Sequence, residues 1–156
     1  MDKEALLSEQ VGDLYNKLSW LNRLKLADQL KGMNPSEVHL IEAIEKFPEL
    51  NMTGLAEHFY LTKGAVSKIV RKLVKKEMIT GYHKPANKKE IFFKLTAKGR
   101  RVFAIHERLD QEFRDRDRVV YDEVSDADFQ KLLHFVELYN QHLDREIEKQ
   151  RQSEIK

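Results

Sequence analysis

The chain has 156 residues, 35% of them charged and 41% apolar, with a formal net charge of +2, which is typical of one helical domain with extensions. It contains no cysteine, which excludes disulfides, thiolate metal sites and thiol redox chemistry. No apolar run is long enough for a membrane span and no signal-peptide core follows the N-terminus, so we expect a cytoplasmic protein that does not contact a membrane.

The first third of the chain predicts three helices. Over residues 3–30, apolar side chains recur at spacings of three and four, which marks one face of a long helix. This apolar stripe is broader than a small monomer needs. Pro35 is well placed at the first position of a second helix, which should end near Phe47. A short third helix should follow, with Thr53 as its cap.

The middle of the chain predicts a tight turn, a basic helix and a hairpin. Thr62 should cap a helix that buries the apolar side chains of Val66, Val70 and Leu73. Two short strands are expected next, at about residues 80–84 and 91–95, joined by residues 85–90.

Two further helices complete the predicted elements. Thr96 should cap a helix that runs to about Arg116. Ser125 or Asp126 should begin the last helix, in which apolar residues again repeat at helical spacing. The expected fold class is therefore mainly α, with one two-stranded β hairpin.

The charge is distributed unevenly along these elements. Residues 62–101 contain thirteen Lys or Arg and two acidic residues, a charge of +11, whereas the rest carries fifteen Lys or Arg and twenty-four Asp or Glu, a charge of −9. Since the basic block is folded structure rather than a tail, it indicates one face that contacts a polyanion. The pattern favours nucleic-acid binding.

A short helix, a turn, a basic helix and a hairpin together predict a winged helix-turn-helix. In that fold the second helix enters the major groove, and the hairpin, called the wing, reaches the flanking minor groove or backbone. Small residues at the start of the basic helix would let its backbone approach the bases. The predicted DNA-binding residues are Thr62, Lys63, Gly64, Ala65, Ser67, Lys68, Arg71, Lys72, Asn87, Lys88 and Lys89.

The arrangement resembles the MarR family of bacterial transcriptional regulators. Residues 55–79 resemble its helix-turn-helix, and residues 87–100 resemble its wing strand and the next helix start, including a Leu-Thr-x-x-Gly signature. The resemblance implies helical dimerisation regions at 1–34 and 117–156 around a DNA-binding domain with its connecting helix at 35–116. It also implies a homodimer on a pseudo-palindromic operator in double-stranded DNA, tuned by a small-molecule or metal effector.

The wing departs from the family pattern. Members commonly carry Asp-x-Arg there, whereas this chain reads Asn87-Lys88-Lys89. Lysine keeps the positive charge but lacks the planar fork of arginine, and Asn87 cannot orient a cation as a carboxylate would. Wing contacts are therefore expected to be more electrostatic and less exact in geometry.

His39, His106 and Asp110 are the candidate effector residues. His106 and Asp110 lie four apart on one helix, a spacing that suits a metal ion. The resemblance adds His39, because zinc-responsive members use a histidine early in the second helix, yet Leu21 stands where their first-helix carboxylate would be. The favoured interpretation is a satisfied, buried histidine pair; an acidic ligand or a metal remains open, and no cofactor is required.

No catalytic motif is present, so we do not expect an enzyme. Two function classes remain. The first is a dimeric DNA-binding regulator, expected to be a repressor that a small ligand or metal releases or tunes. The alternative is a winged-helix module whose basic face docks an acidic protein. Small residues at the helix entrance and a basic wing tip favour the first, because protein docking gives no reason to combine them.

Overall fold

The computed structural model describes residues 2–154, which form six helices and one two-stranded antiparallel sheet. In chain order the elements are α1 (Lys3–Gln29), α2 (Pro35–Lys46), α3 (Met52–His58), α4 (Lys63–Lys75), β1 (Ile79–Lys84), β2 (Asn87–Leu95), α5 (Ala97–Tyr121) and α6 (Asp126–Glu154). The predicted winged helix-turn-helix with long terminal helices is confirmed. Of the helices in this range, none combines the length and apolar character of a membrane span.

The chain divides into two compact units, and the boundary falls inside α5 between Phe113 and Arg114. The first unit contains α1 to α4, the hairpin and most of α5. The second contains the end of α5 and α6, whose apolar side chains remain 44–55% exposed: Leu132, Leu133, Val136, Tyr139 and Leu143. The division leaves the assignment of residues 1–34 and 117–156 to dimerisation as a prediction.

Helix α1 contacts the core of the first unit only near its C-terminal end. Leu30 caps the helix and is 5% exposed, and Leu26 packs against the core one turn earlier. Further back, Leu14 and Trp20 are each 58% exposed. The apolar stripe predicted for this helix is therefore largely uncovered in the single chain.

Helix α2 begins where the sequence predicts. The Asn34 side chain accepts from the Glu37 backbone N–H at 2.9 Å, and the Glu37 carboxylate accepts from the Asn34 N–H at 3.2 Å. With Pro35 at the first helical position, this reciprocal capping box fixes the start of the helix.

Helix α3 begins earlier than predicted. Asn51, not Thr53, is its cap, and the Asn51 side chain accepts from the Gly54 backbone N–H at 2.8 Å. The prediction failed because both residue types cap helices, and asparagine is the more favourable of the two.

The core lies among α2, α3, α4 and the hairpin. Side chains with at most 1% exposure form its centre: Leu40, Ile41, Leu55, Val66, Leu73 and Ile79. Each such side chain stabilises the fold by about 1.5–3 kcal/mol through burial. Since Val66 and Leu73 belong to α4, the buried stripe of that helix is what attaches it to the domain.

The hairpin is tighter than predicted. The second strand begins at Asn87 rather than Ile91, so the turn consists of Pro85 and Ala86 instead of residues 85–90. Backbone pairing runs from Ile79 opposite Leu95 to Lys84 opposite Asn87, with an irregularity near the tip. The polar Asn-Lys-Lys-Glu segment does not show strand periodicity, which is why the sequence indicated a loop.

The Leu-Thr-x-x-Gly signature joins the hairpin to α5. Thr96 caps α5 as predicted, since its hydroxyl oxygen accepts from the Gly99 N–H at 3.1 Å. The Thr96 N–H donates to Met78 O at 3.0 Å, and its hydroxyl lies 2.7 Å from Glu77 O and 3.1 Å from Met78 O. A Cβ on Gly99 would lie only 2.1 Å from Met78 O, so only glycine fits this close approach.

The last two helices start as expected, but α5 is longer. It extends to Tyr121 rather than ending near Arg116. The alternating charges of that segment do not favour one conformation, yet the helix continues through them. Ser125 caps α6, and its hydroxyl accepts from the Asp128 N–H at 3.2 Å.

Candidate nucleic-acid interface

The basic helix α4 is held with one face inward and the other outward. Thr62 caps it as predicted, its hydroxyl oxygen accepting from the Ala65 N–H at 3.1 Å. Val66 and Leu73 are fully buried and Val70 is 6% exposed, so the inward face is apolar. The remaining faces are presented to solvent.

The turn between α3 and α4 has a defined geometry. Tyr60 adopts a left-handed conformation with φ of 53°, and its N–H donates to Glu57 O at 3.2 Å. The Leu61 N–H donates to Ala56 O at 2.9 Å, which completes a Schellman motif at the end of α3. The turn is therefore set by backbone hydrogen bonds rather than by a glycine.

Five cations on α4 have no acidic partner. Each is exposed, and within residues 2–154 none forms an ion pair: Lys63, Lys68, Arg71, Lys72 and Lys75. Lys46, by contrast, contacts both Glu42 and Glu107. Uncompensated charges along one helix face raise the local potential, and a polyanion would neutralise it.

The start of α4 is open. A Cβ on Gly64 would have only the Thr62 hydroxyl oxygen nearby, at 4.0 Å, so packing does not require glycine there. Ala65 and Ser67 are partly exposed beside it. The small entrance residues thus belong to the outward surface, where they allow another molecule to approach the backbone closely.

The wing extends the same surface. Lys63 of α4 and Lys89 of β2 both line a surface pocket of about 270 Å³, together with Asn51 and Thr53. Lys88 and Lys89 are exposed and have no ion-pair partner in the described part of the chain. Two of the predicted contact groups, the helix start and the wing, therefore meet at one place.

Asn87 has a different role from the one implied by the family pattern. Its side-chain oxygen accepts from the backbone N–H groups of Lys89 and Glu90, each at 3.2 Å, and its amide nitrogen donates to the Glu90 carboxylate. Asn87 thus shapes the start of β2 and leaves the Lys88 and Lys89 ammonium groups without an orienting carboxylate.

Aromatic rings hold two other wing cations. The Lys84 ammonium lies 4.1 Å from the centre of the Phe92 ring. The Lys94 ammonium lies 5.7 Å from the centre of the Tyr82 ring. Cation–π contacts of this kind attract the ammonium towards the ring face. These two lysines are therefore more constrained than Lys88 and Lys89.

The basic block does not form a single face. Lys76 is not solvated like Lys75: its ammonium lies 2.7 Å from the Glu37 carboxylate and 2.6 Å from Gly32 O. The Lys98 ammonium donates to Lys76 O at 3.0 Å. The idea that all of this charge faces a polyanion is wrong for these two residues, which are used within the fold.

A cavity of about 690 Å³ lies apart from the basic face, lined by α1, α2 and α5. Its lining includes the three predicted effector residues along with aromatic and basic side chains: Tyr15, Trp20, Arg23, His39, His106 and Asp110. The rings of His39 and His106 lie near each other, with centroids 6.3 Å apart.

The polar cluster beside this cavity includes a residue that the sequence analysis missed. Glu42 Oε2 lies 3.0 Å and Asp110 Oδ2 3.5 Å from His106 Nε2, and one ligand atom from each residue falls within 4.8 Å of the others. Glu42 follows His39 by three positions on α2, so the helical spacing could have indicated it.

The charges around Glu42 are strongly coupled. Partial burial would raise the pKa of the Glu42 carboxyl, but hydrogen bonds from Lys46 and His106 outweigh burial and hold that pKa below its ordinary value. Hydrogen bonds to Glu42 and Glu107 raise the pKa of Lys46. Both groups are therefore ionised near neutral pH.

The expected pair of buried, satisfied histidines is not what the structure shows. His39 is exposed, whereas His106 is buried, with only 5% of its surface accessible. His106 Nδ1 is buried without a hydrogen-bond partner among the described residues. An unpaired buried polar atom is costly, which makes this histidine a candidate for a role beyond packing.

Comparison with known proteins agrees with the geometry of the basic face. A family model described as MarR family matches residues 33–91. The HTH-type transcriptional regulator PchR of Bacillus subtilis (strain 168) is 32% identical over 155 residues, covering 90% of this chain and 92% of that protein. The uncharacterised HTH-type regulator YvnA of the same organism is 33% identical over 108 residues, 69% of each chain.

Solved structures share the fold. Streptococcus pneumoniae FabT, in complex with DNA, has a TM-score of 0.79 at 19% identity, covering 92% of this chain and 99% of that one. The adhesin competence repressor AdcR of Streptococcus pyogenes has a TM-score of 0.69 at 20% identity, covering 88% and 97%. The chain therefore belongs to the MarR family and is a DNA-binding transcriptional regulator, not an enzyme.

Proposed function

We propose that the protein is a homodimeric repressor that binds a pseudo-palindromic operator in the cytoplasm and responds to an effector. The observation that carries the proposal is a set of seven exposed cations on α4 and the wing that form no ion pair within residues 2–154: Lys63, Lys68, Arg71, Lys72, Lys75, Lys88 and Lys89. Lys63 and Lys89 line the same surface pocket, so the start of α4 and the wing can contact DNA together. A protein seated on promoter DNA excludes polymerase, which makes repression the simplest outcome.

Dimerisation is proposed from the uncovered apolar stripes. Within the first unit, Leu14 and Trp20 of α1 are 58% exposed, and within the second, Leu132 of α6 is 55% exposed. Apolar surface of this extent normally marks association. A twofold axis would place two copies of α4 about one DNA turn apart, roughly 34 Å. Light scattering should give twice the monomer mass of 18.5 kDa; a monomer at micromolar concentration would contradict the proposal.

The DNA-binding proposal is tested with the DNA that flanks the protein's own gene. Fluorescence anisotropy should show tighter binding to one fragment of that region than to random DNA of equal length. A reporter placed behind the bound fragment should be less active when the protein is present. Equal affinity for both DNAs, together with capture of an acidic protein instead, would favour the protein-docking alternative.

We further propose that Glu42, His106 and Asp110 form the effector site, with a divalent metal as the effector. One imidazole nitrogen and two carboxylate oxygens within 4.8 Å of one another suit a transition metal, whose bonds to such ligands are about 2.0–2.2 Å. Because the cluster links α2 to α5, a bound ion would favour one arrangement of these helices.

The free energy that a bound ion must supply to control DNA binding is modest. To change operator affinity a hundredfold, the ion must favour one dimer geometry by roughly 2.7 kcal/mol. A single hydrogen bond from His106, at about 1 kcal/mol, is too small.

Zinc is the probe for this site. Adding it to chelator-treated protein should shift operator affinity in the wild type but not in His106→Ala or Glu42→Gln. His39→Ala is the matched control, because His39 lies next to the cluster but outside it. No zinc effect, or one that persists in His106→Ala, would refute the metal site.

A further inference from the structure

The buried carboxylate of Glu37 needs a role beyond its capping hydrogen bond. Glu37 is 1% exposed, and no other Asp or Glu among residues 2–154 is buried. Removing a carboxylate from water costs several kcal/mol in free energy unless a cation and hydrogen bonds compensate for it. The capping contact with the Asn34 N–H, at 3.2 Å, would be made equally well at an exposed position.

Lys76 supplies the compensation and joins three parts of the first unit. Its ammonium lies 2.7 Å from the Glu37 carboxylate on α2 and 2.6 Å from Gly32 O in the α1–α2 loop. Its backbone oxygen accepts from the Lys98 ammonium on α5 at 3.0 Å. Lys76 itself is the C-terminal cap of α4. The end of the basic helix is therefore tied to α2, to the loop and to α5.

The backbone after Lys76 reinforces this attachment. Glu77 is left-handed with φ of 59°, and the Glu77 N–H donates to Val74 O at 2.9 Å. The Met78 N–H donates to Leu73 O at 2.9 Å, which completes a second Schellman motif. These bonds fix where α4 ends and hence where Lys76 departs from it.

We propose that Glu37 and Lys76 are positioning residues for operator recognition, acting through the orientation of α4. The proposal rests on the proposed DNA-binding function. Base contacts need an accuracy of about 0.5 Å in the placement of the helix. Phosphate contacts depend on a long-range attraction and tolerate larger displacements. Loss of the Glu37–Lys76 ion pair should therefore weaken binding to the operator while leaving binding to random DNA nearly unchanged.

Glu37→Gln is the primary variant. Glutamine has nearly the same shape and still serves in a capping box, so α2 should keep its start while the charge facing Lys76 is lost. Lys75→Met is the matched control, since Lys75 is the adjacent lysine, is exposed, and forms no ion pair in the part of the chain that the structure describes. If Glu37→Gln does not fold, the double variant Glu37→Gln/Lys76→Met removes both charges and leaves no buried ion unpaired.

Operator and random DNA affinities are measured across a range of salt concentrations, and helix content is checked by circular dichroism. Glu37→Gln, or the double variant, should bind the operator on the order of tenfold more weakly. The affinity for random DNA should not change, and neither should the slope of log affinity against log salt concentration. If Lys75 contacts phosphate, Lys75→Met should weaken binding to both DNAs and lower the dimer's slope by about two, because one contact is lost in each chain.

Two results would overturn the positioning role. Equal losses on operator and random DNA would show a general loss of structure. A dimer slope reduced by about two in the double variant, one contact for each chain, would show that Lys76 contacts phosphate. Wild-type protein that fails to distinguish operator from random DNA would instead refute the proposed function, and this is seen before any variant is compared.

Discussion

Gly99→Ala tests the junction between the wing and α5. The new Cβ would lie 2.1 Å from Met78 O, more than an ångström inside ordinary contact distance, and the obstacle is backbone rather than a flexible side chain. To relieve the contact, Met78 O must move away from the Thr96 N–H, now 3.0 Å away, and from the Thr96 hydroxyl. Overpacking costs about 1–3 kcal/mol and each lost hydrogen bond about 1 kcal/mol, so the free energy of unfolding should fall by roughly 3–5 kcal/mol.

Urea unfolding followed by circular dichroism measures this loss, at one fixed protein concentration because a dimer's stability depends on it. Gly64→Ala is the matched control. Its Cβ would enter open space on a helix, and alanine is favoured there by up to about 1 kcal/mol, so stability should stay equal or rise. A Gly99→Ala variant within about 0.5 kcal/mol of wild type, the range of ordinary surface substitutions, would refute the reasoning.

Three further variants probe the core and the interface. Leu73→Ala removes a fully buried side chain of α4 and should lower the free energy of unfolding by about 2–5 kcal/mol in the same assay. Lys68→Ala should cost about 1–3 kcal/mol on the operator if the side chain reaches a base, and equal losses on random DNA would show a phosphate contact only. Replacing Lys88 and Lys89 together by alanine should weaken both DNAs alike and flatten the salt slope; a loss confined to the operator would contradict the electrostatic role of the wing.

The parts of the fold that the sequence predicted well are those with strong local signals. Pro35 after a capping asparagine, Thr62 before a basic amphipathic helix, and Thr96 three residues before Gly99 each define a helix start by a side-chain hydrogen bond. Such signals depend on a few neighbouring residues. The long apolar stripe of α1 was also predicted, and its exposure in the single chain follows from its width.

The parts that were predicted wrongly depend on competition or on distant contacts. Thr53 and Asn51 are both capping residues, and only the folded chain shows that asparagine is used. Lys76 looks like any exposed lysine in the sequence, because its partner Glu37 is thirty-nine positions away. Glu42 lies at helical spacing from His39 on α2, but its contact with His106, which crosses from α2 to α5, is visible only in the folded chain.

The salt dependence of operator binding tests the central claim most directly, that the unpaired cations of α4 and the wing contact DNA phosphates. If each chain uses about four to five of its seven such cations, the dimer's slope of log affinity against log salt should be on the order of −7 to −9. A slope near zero, or one unchanged when Lys88 and Lys89 are replaced by alanine, would contradict the account.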